Sequence, residues 1–214
     1  GSESNGSSAI AHMTPIAMLV GTAPNQTVSN RIIFTADDGS NGNELWISDG
    51  TGNGTVMLKD ITSGPNSSIL ENFTRVSAQG VVFTVRDATD KLTLWKTDGT
   101  NAGTVQIEDF VAEPIPSLAA ADAVNLRSYV LIGTTLYFML GDDEIWRTDG
   151  LSDVGTVLVH RFRGSTGGSF AQNCTRLGDG RVVFAATGPG SGQEVWVTDG
   201  TETGTTLLAD LNSG

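Results

Sequence analysis

The chain has 214 residues, with 24 acidic against 12 basic side chains and a formal net charge of −12. A surface this acidic repels phosphate backbones, which excludes nucleic acid as the expected partner; it favours solubility and attracts cations, Ca2+ among them. With 27 glycines, 17% charged residues and a hydrophobic fraction of 38%, the composition points to a turn-rich β protein able to bury a core.

Residues 1–13 read GSESNGSSAIAHM. The stretch has neither the basic start nor the apolar centre of a signal peptide, reads as an expression-tag remnant, and is set apart from the fold. No run of 18 apolar residues follows, so no transmembrane helix and no membrane insertion are expected.

The first predicted strand is Ile16–Val20, and the next stretch opens a repeat. Arg31–Ile61 reads RIIFTADDGSNGNELWISDGTGNGTVMLKDI, and the same words return at Gly80–Phe110, Thr135–Phe162 and Arg181–Leu211. The four tryptophans, Trp46, Trp95, Trp146 and Trp196, stand 49, 51 and 50 residues apart. Each copy resolves into three strand-like runs. The first is Ile32–Ala36, Val81–Val85, Leu136–Leu140 or Val182–Ala186, rich in β-branched and aromatic residues. The second carries the Trp, and the third follows Gly-Thr. A fourth strand precedes each later copy, at Asn72–Ala78, Leu126–Ile132 and Ala171–Leu177. Four antiparallel strands per 50 residues or so predict a β-propeller blade. The expected architecture is all-β, one propeller domain over residues 14–214 with blades near 14–63, 64–112, 113–164 and 165–214. The last residues fall on a blade boundary. Four blades could close a small ring, or the chain could be a segment or half of an eight-bladed ring, with exposed edge strands that promote self-association.

Between the second and third runs, Asp49, Asp98, Asp149 and Asp199 each precede a Gly. Asp accepts hydrogen bonds from backbone N–H groups just downstream, and Gly supplies a positive φ, so these are expected to be turn residues. Because all four copies share them, the Asp and Trp residues are assigned to the fold rather than to a site. The Trp residues are expected to fill the space between blades.

Glu44-Leu45-Trp46, Ser48-Asp49-Gly50-Thr51 and Gly54-Thr55 resemble the ELWxxDGTxxGT repeat of large bacterial secreted and surface proteins. Leu94–Thr100 and Glu194–Thr201 are close variants. The third copy departs: Leu151 replaces the Thr, one extra residue precedes Gly155, and the hairpin before Trp146 is four residues shorter. The resemblance implies a secreted or cell-surface, propeller-like repeat protein and assigns no catalytic residues.

Outside the repeat, candidate chemistry is sparse. His160, Arg161 and Arg163 form the densest basic cluster and could meet an anionic group, a sugar carboxylate for instance, or lie on a solvated strand edge. Asp142, Asp143 and Glu144 occupy the shortened hairpin of the third copy. Asp37 and Asp38 open an oxygen-rich loop that could hold Ca2+ or simply form a turn; neither acidic group has EF-hand spacing. Cys174 is the only cysteine and is expected to be a small buried residue, and no other cofactor is implied. Asn25, Asn53, Asn66, Asn72 and Asn173 each begin an Asn-x-Ser/Thr triplet, which repeat and composition largely explain. The Val111–Ala123 stretch reads as a long linker with a short helical turn. The resulting expectation is a non-enzymatic binding or adhesion propeller that recognises a glycan or a protein. The alternatives are a structural assembly module of a larger surface protein and a polysaccharide-acting enzyme using acidic loop residues.

Overall fold

The computed structural model describes residues 10–67, 69–89, 91–110, 126–141, 144–150, 154–162, 172–188 and 192–211. These form sixteen strands in four four-stranded antiparallel sheets, each with its strands in chain order, which is the β-propeller blade. Blade 1 comprises β1 (Ala11–Val20), β2 (Thr27–Asp37), β3 (Asn43–Ser48) and β4 (Val56–Lys59). Blade 2 comprises β5 (Ile69–Arg75), β6 (Val81–Arg86), β7 (Leu92–Thr97) and β8 (Val105–Phe110). Blade 3 holds β9 (Leu126–Ile132), β10 (Thr135–Leu140), β11 (Glu144–Thr148) and β12 (Thr156–Arg161). Blade 4 holds β13 (Gln172–Arg176), β14 (Val182–Thr187), β15 (Gln193–Thr198) and β16 (Thr206–Ala209). The Val111–Ala123 linker, Asp142, Asp143 and Arg163 lie outside the described residues.

Alternation gives every blade two faces. On one, the repeat Trp stands directly across from a Phe: Phe34 with Trp46, Phe83 with Trp95, Phe138 with Trp146, Phe184 with Trp196. The other carries the residue before each Trp: Leu45, Leu94, Ile145 or Val195. We call these the Trp face and the Leu face.

The chain divides into two compact units, Gly1–Phe110 and Val111–Gly214. In the first, Ile16, Ile33, Leu45, Ile47 and Leu58 of blade 1 share a core with Leu70, Val81, Phe83, Val85 and Trp95 of blade 2. In the second, Tyr137, Met139, Ile145, Val159 and Phe162 of blade 3 share one with Val182, Phe184, Ala186 and Trp196 of blade 4. In both, the Leu face of one blade covers the Trp face of the next. Each large apolar side chain so buried contributes about 1.5–3 kcal/mol.

Three features depart from the sequence expectations. First, β1 begins at Ala11, ahead of the Thr14 boundary. Ala11 pairs with Thr35, and the His12 ring stacks on Phe73 at 5.6 Å. Second, the strand expected at Asn72–Ala78 lies at Ile69–Arg75, because Val76–Gly80 closes the hairpin, with Val76 N–H donating to the Gly80 carbonyl (2.9 Å). Third, β1 and β2 run on as an arm from the Ile16–Arg31 pair to the Val20–Thr27 pair. The arm lies on blade 2: Ala17 N–H donates to the Ala78 carbonyl at 3.1 Å, and Met18 packs over Gly99.

A shared bulge marks the first strand of each blade. The extra residue is His12, Asn72, Ser128 or Asn173, all at positive φ (56°, 57°, 43° and 62°). The hydroxyls of Thr14, Thr74 and Thr175 donate to the carbonyls of His12, Asn72 and Asn173. Asn tolerates this conformation better than most residues, and the Thr two places on ties it down. The Asn72 and Asn173 triplets therefore have a backbone role.

Candidate functional site

The repeat acids are turn residues. Asp49 Oδ1 accepts from the N–H and the hydroxyl of Thr51 (2.9 and 2.7 Å), and Thr51 Oγ1 accepts from Gly54 N–H (3.0 Å). Thr55 gives its hydroxyl proton to the Thr51 carbonyl (2.7 Å), so at the 2.7 Å contact between Ser48 and Thr55 it is Ser48 that donates. The same set recurs around Asp98 and Asp199. Hydrogen bonds from Thr51 and Thr201 hold the Asp49 and Asp199 carboxyls below the usual range. The downstream Gly is a steric necessity: a Cβ on Gly54, Gly103, Gly155 or Gly204 would overlap the carboxylate of its Asp.

A second repeat acid escaped sequence reasoning. Glu44, two residues before Trp46, is fully buried and accepts from Ile61 N–H (2.6 Å) and Thr62 N–H (3.2 Å). Glu194 accepts from Leu211 N–H at 2.7 Å. Each pins the chain leaving its blade to the central hairpin. The signal was the Glu of the ELW word itself, masked by Thr93 at the same place in blade 2.

Blade 3 uses that position differently. Arg161 stands where the other copies carry Asp60, Asp109 and Asp210. Its guanidinium pairs with Glu144 Oε1, while Glu144 Oε2 accepts from Trp146 Nε1–H at 2.7 Å. In blades 1 and 4 the corresponding indole donates instead to the carbonyl of Ala36 or Ala186. The outer-strand Arg161 gives the Glu of blade 3 a charged partner that the Asp of the other copies cannot supply. Arg161 is thus engaged within its own blade, although its buried Nε has no hydrogen-bond partner among the described residues.

His160 is half-buried rather than on a solvated edge. It lies at the junction of blades 3 and 4, its ring stacked on Trp196 (centroids 6.1 Å) and edge-on to Phe162 (4.5 Å). Its Nδ1–H donates to Glu202 Oε1 at 2.8 Å, and the Glu202 side chain is 69% exposed. The sequence cluster therefore separates: Arg161 turns to Glu144 and His160 to Glu202. Glu202 was not singled out in the sequence, because it lies in the variable part of the turn motif. A carboxylate, an imidazole and an indole side by side can offer a polar ligand both hydrogen bonds and an aromatic surface.

The remaining candidates have local partners. Asp37 accepts from Gly39 N–H (2.7 Å), and Asp38 from Ser40 N–H, Asn41 N–H and the Asn41 amide (2.8 Å each). That is the turn reading of this loop, and among the described residues no three His, Cys, Asp or Glu side chains group as metal ligands. Cys174 packs against the second core, and burial pushes its thiol up to about 11. Among the described residues no helix is long and apolar enough to cross a membrane.

No known protein family matches the sequence, and neither does any curated protein. Among solved structures, the chain is similar to one described as the complex of the fission yeast SREBP-SCAP binding domains. The identity is 11% and the TM-score 0.36, over 91% of this chain and 53% of that one. The chain thus spans about half the length of that structure.

Proposed function

We propose that the chain is a non-enzymatic extracellular binding module that recognises a glycan at the cell surface. The observation that carries this is the junction of blades 3 and 4. There His160, Trp196 and Glu202 gather aromatic and hydrogen-bonding groups at a partly exposed rim, whereas the same place in the first unit is held by an amide and a backbone carbonyl. The shared acids are occupied in turns, which leaves recognition to positions where the copies differ. The resemblance to the ELWxxDGTxxGT repeat supports the secreted or surface setting, and no cofactor is required.

A glycan array probed with the wild-type chain and with His160→Ala and Glu202→Ala tests this. We expect a restricted set of sugars to bind and both variants to lose at least tenfold in affinity. Binding of no glycan, or binding that both variants retain in full, would overturn it; a protein captured through the same residues would move the ligand class from sugar to protein.

A second reading, an assembly module, is favoured by apolar blade faces that stand in solvent.

A further inference from the structure

Apolar positions that are buried in their counterparts stand in solvent at two places, one on a Trp face and one on a Leu face. On the Trp face, the residue at the start of the second strand is fully buried in blades 2 and 4: Val81 and Val182 are each 0% exposed. Its counterpart in blade 1, Ile32, is 45% exposed and shares its face with Phe34 and Trp46. On the Leu face, the outer-strand position is Leu58 in blade 1 and Val159 in blade 3, exposed by 5% and 1%. Its counterpart in blade 4, Leu208, is 53% exposed. Seven positions after the motif Gly, Phe162 of blade 3 is 1% exposed, while Leu211 of blade 4 is 75% exposed. The Trp face of blade 1 is thus open at Ile32, beside the buried Phe34 (9%) and Ala36 (7%), and blade 4 is open at Leu208 on its Leu face and at Leu211 beyond it.

We propose that these two faces join copies of this chain: the Leu face of blade 4 in one copy covers the Trp face of blade 1 in the next. The occupant follows from the molecule's own junctions. Twice, in the blade 1–blade 2 core and the blade 3–blade 4 core, a Leu face packs on a Trp face. Both internal junctions also carry a latch, from the residue after the Asp-Gly-Thr turn to the outer strand of the preceding blade. Asn101 Nδ2–H donates to the Leu58 carbonyl (2.8 Å), and Glu202 meets His160. At the proposed contact the two latch positions are Gly52, with open space around it, and Ala209. Both are small and uncharged, so the contact needs no polar partner and places no charge opposite charge there. Next to Ile32, Arg31 is charged and already paired with Asp49 at 3.1 Å, and Thr14–Asn30 beyond it contains no Asp, Glu, Lys or Arg in a chain of net charge −12. The contact is heterologous, since each copy contributes a different face at each junction. Without a latch, and against the repulsion between acidic copies, it is reversible and strengthened by salt.

Sedimentation from micromolar to millimolar protein, at low and high salt, tests the proposal on the full chain. We expect concentration-dependent self-association that salt enhances. Ile32→Asp and Leu208→Asp, both at exposed positions, should each weaken it at least tenfold while the melting curve stays that of a folded chain. The mixture is decisive: an Ile32→Asp copy keeps its Leu face and a Leu208→Asp copy keeps its Trp face, so mixing restores a one-to-one complex. A chain that stays strictly monomeric at millimolar concentration overturns the proposal. So does association that Ile32→Asp abolishes and Leu208→Asp leaves intact, which would mean that two Trp faces meet each other.

Discussion

The two internal junctions place the same backbone geometry under different side chains. In the first unit, Met18 lies over Gly99, His12 stacks on Phe73, and Asn101 reaches the Leu58 carbonyl. In the second, Tyr137 and Arg147 lie over Gly200, Ser128 Oγ accepts from Cys174 N–H, and Glu202 reaches His160. The positions correspond and the chemistry does not. What is repeated (Asp, Gly, Thr, and a Phe opposite a Trp) fixes the chain path. What varies fills the junction, and in the second unit it leaves a titratable, aromatic pair of groups at the rim.

The largest expected effect probes what the two junctions share. Phe83 and Phe184 occupy the same place in each core and are exposed by 0% and 2%. Truncation to Ala should cost about 3–5 kcal/mol in either unit, read by urea denaturation. Losses differing by more than about 2 kcal/mol would mean that the cores are not equivalent. The glycines of the Asp-Gly turns come next, and they should separate. Gly50, Gly99 and Gly200 all sit at positive φ (88°, 87° and 92°), so Ala at each costs about 1–2 kcal/mol from the backbone alone. Around Gly50 there is open space; at Gly99 a new Cβ would press on the flexible end of Met18; at Gly200 it would press on Tyr137 and Arg147. Overpacking adds about 1–3 kcal/mol where the neighbour cannot yield. The expected order of destabilisation is therefore Gly200→Ala, then Gly99→Ala, then Gly50→Ala. Thermal melts giving three equal losses would show that the close approach across the junction has no energetic weight.

The blade was legible in the sequence because its determinants are local. Leu126–Ile132 and the strands starting at Val81 and Val182 follow from β-branched runs, and the Asp49 turn from Asp, Gly and Thr at fixed spacing. What depended on distance was not. The role of Glu44 lies 17 residues away in the chain at Ile61, and that of Asn101 lies 43 away at Leu58. The second function of Gly99, making room for Met18, is hidden behind its turn role. Of the arm, only Ile16–Val20 reads as a strand in the sequence, because the uncharged stretch that follows has no counterpart in the other copies. His160 and Arg161 looked like one basic patch, yet neighbouring strand residues point to opposite faces, and pairing sent them to different carboxylates.

The latch residues give the smallest effect and the sharpest test of what distinguishes the units. Asn101 makes a part-buried hydrogen bond to a backbone carbonyl, worth about 0.5–1.5 kcal/mol net. Glu202 is 69% exposed, and an exposed pair contributes about 0–1 kcal/mol. Asn101→Ala should therefore destabilise the protein by about 1 kcal/mol, and Glu202→Ala by less, although only the second removes a charge. Ligand binding should show the reverse order, with Glu202→Ala losing affinity and Asn101→Ala keeping it. If Glu202→Ala proves the more destabilising and leaves binding untouched, the junction of blades 3 and 4 is a structural clamp and not a recognition surface. If the two orders cross as expected, stability and recognition have been assigned to corresponding positions in different units, with the turn between them unchanged.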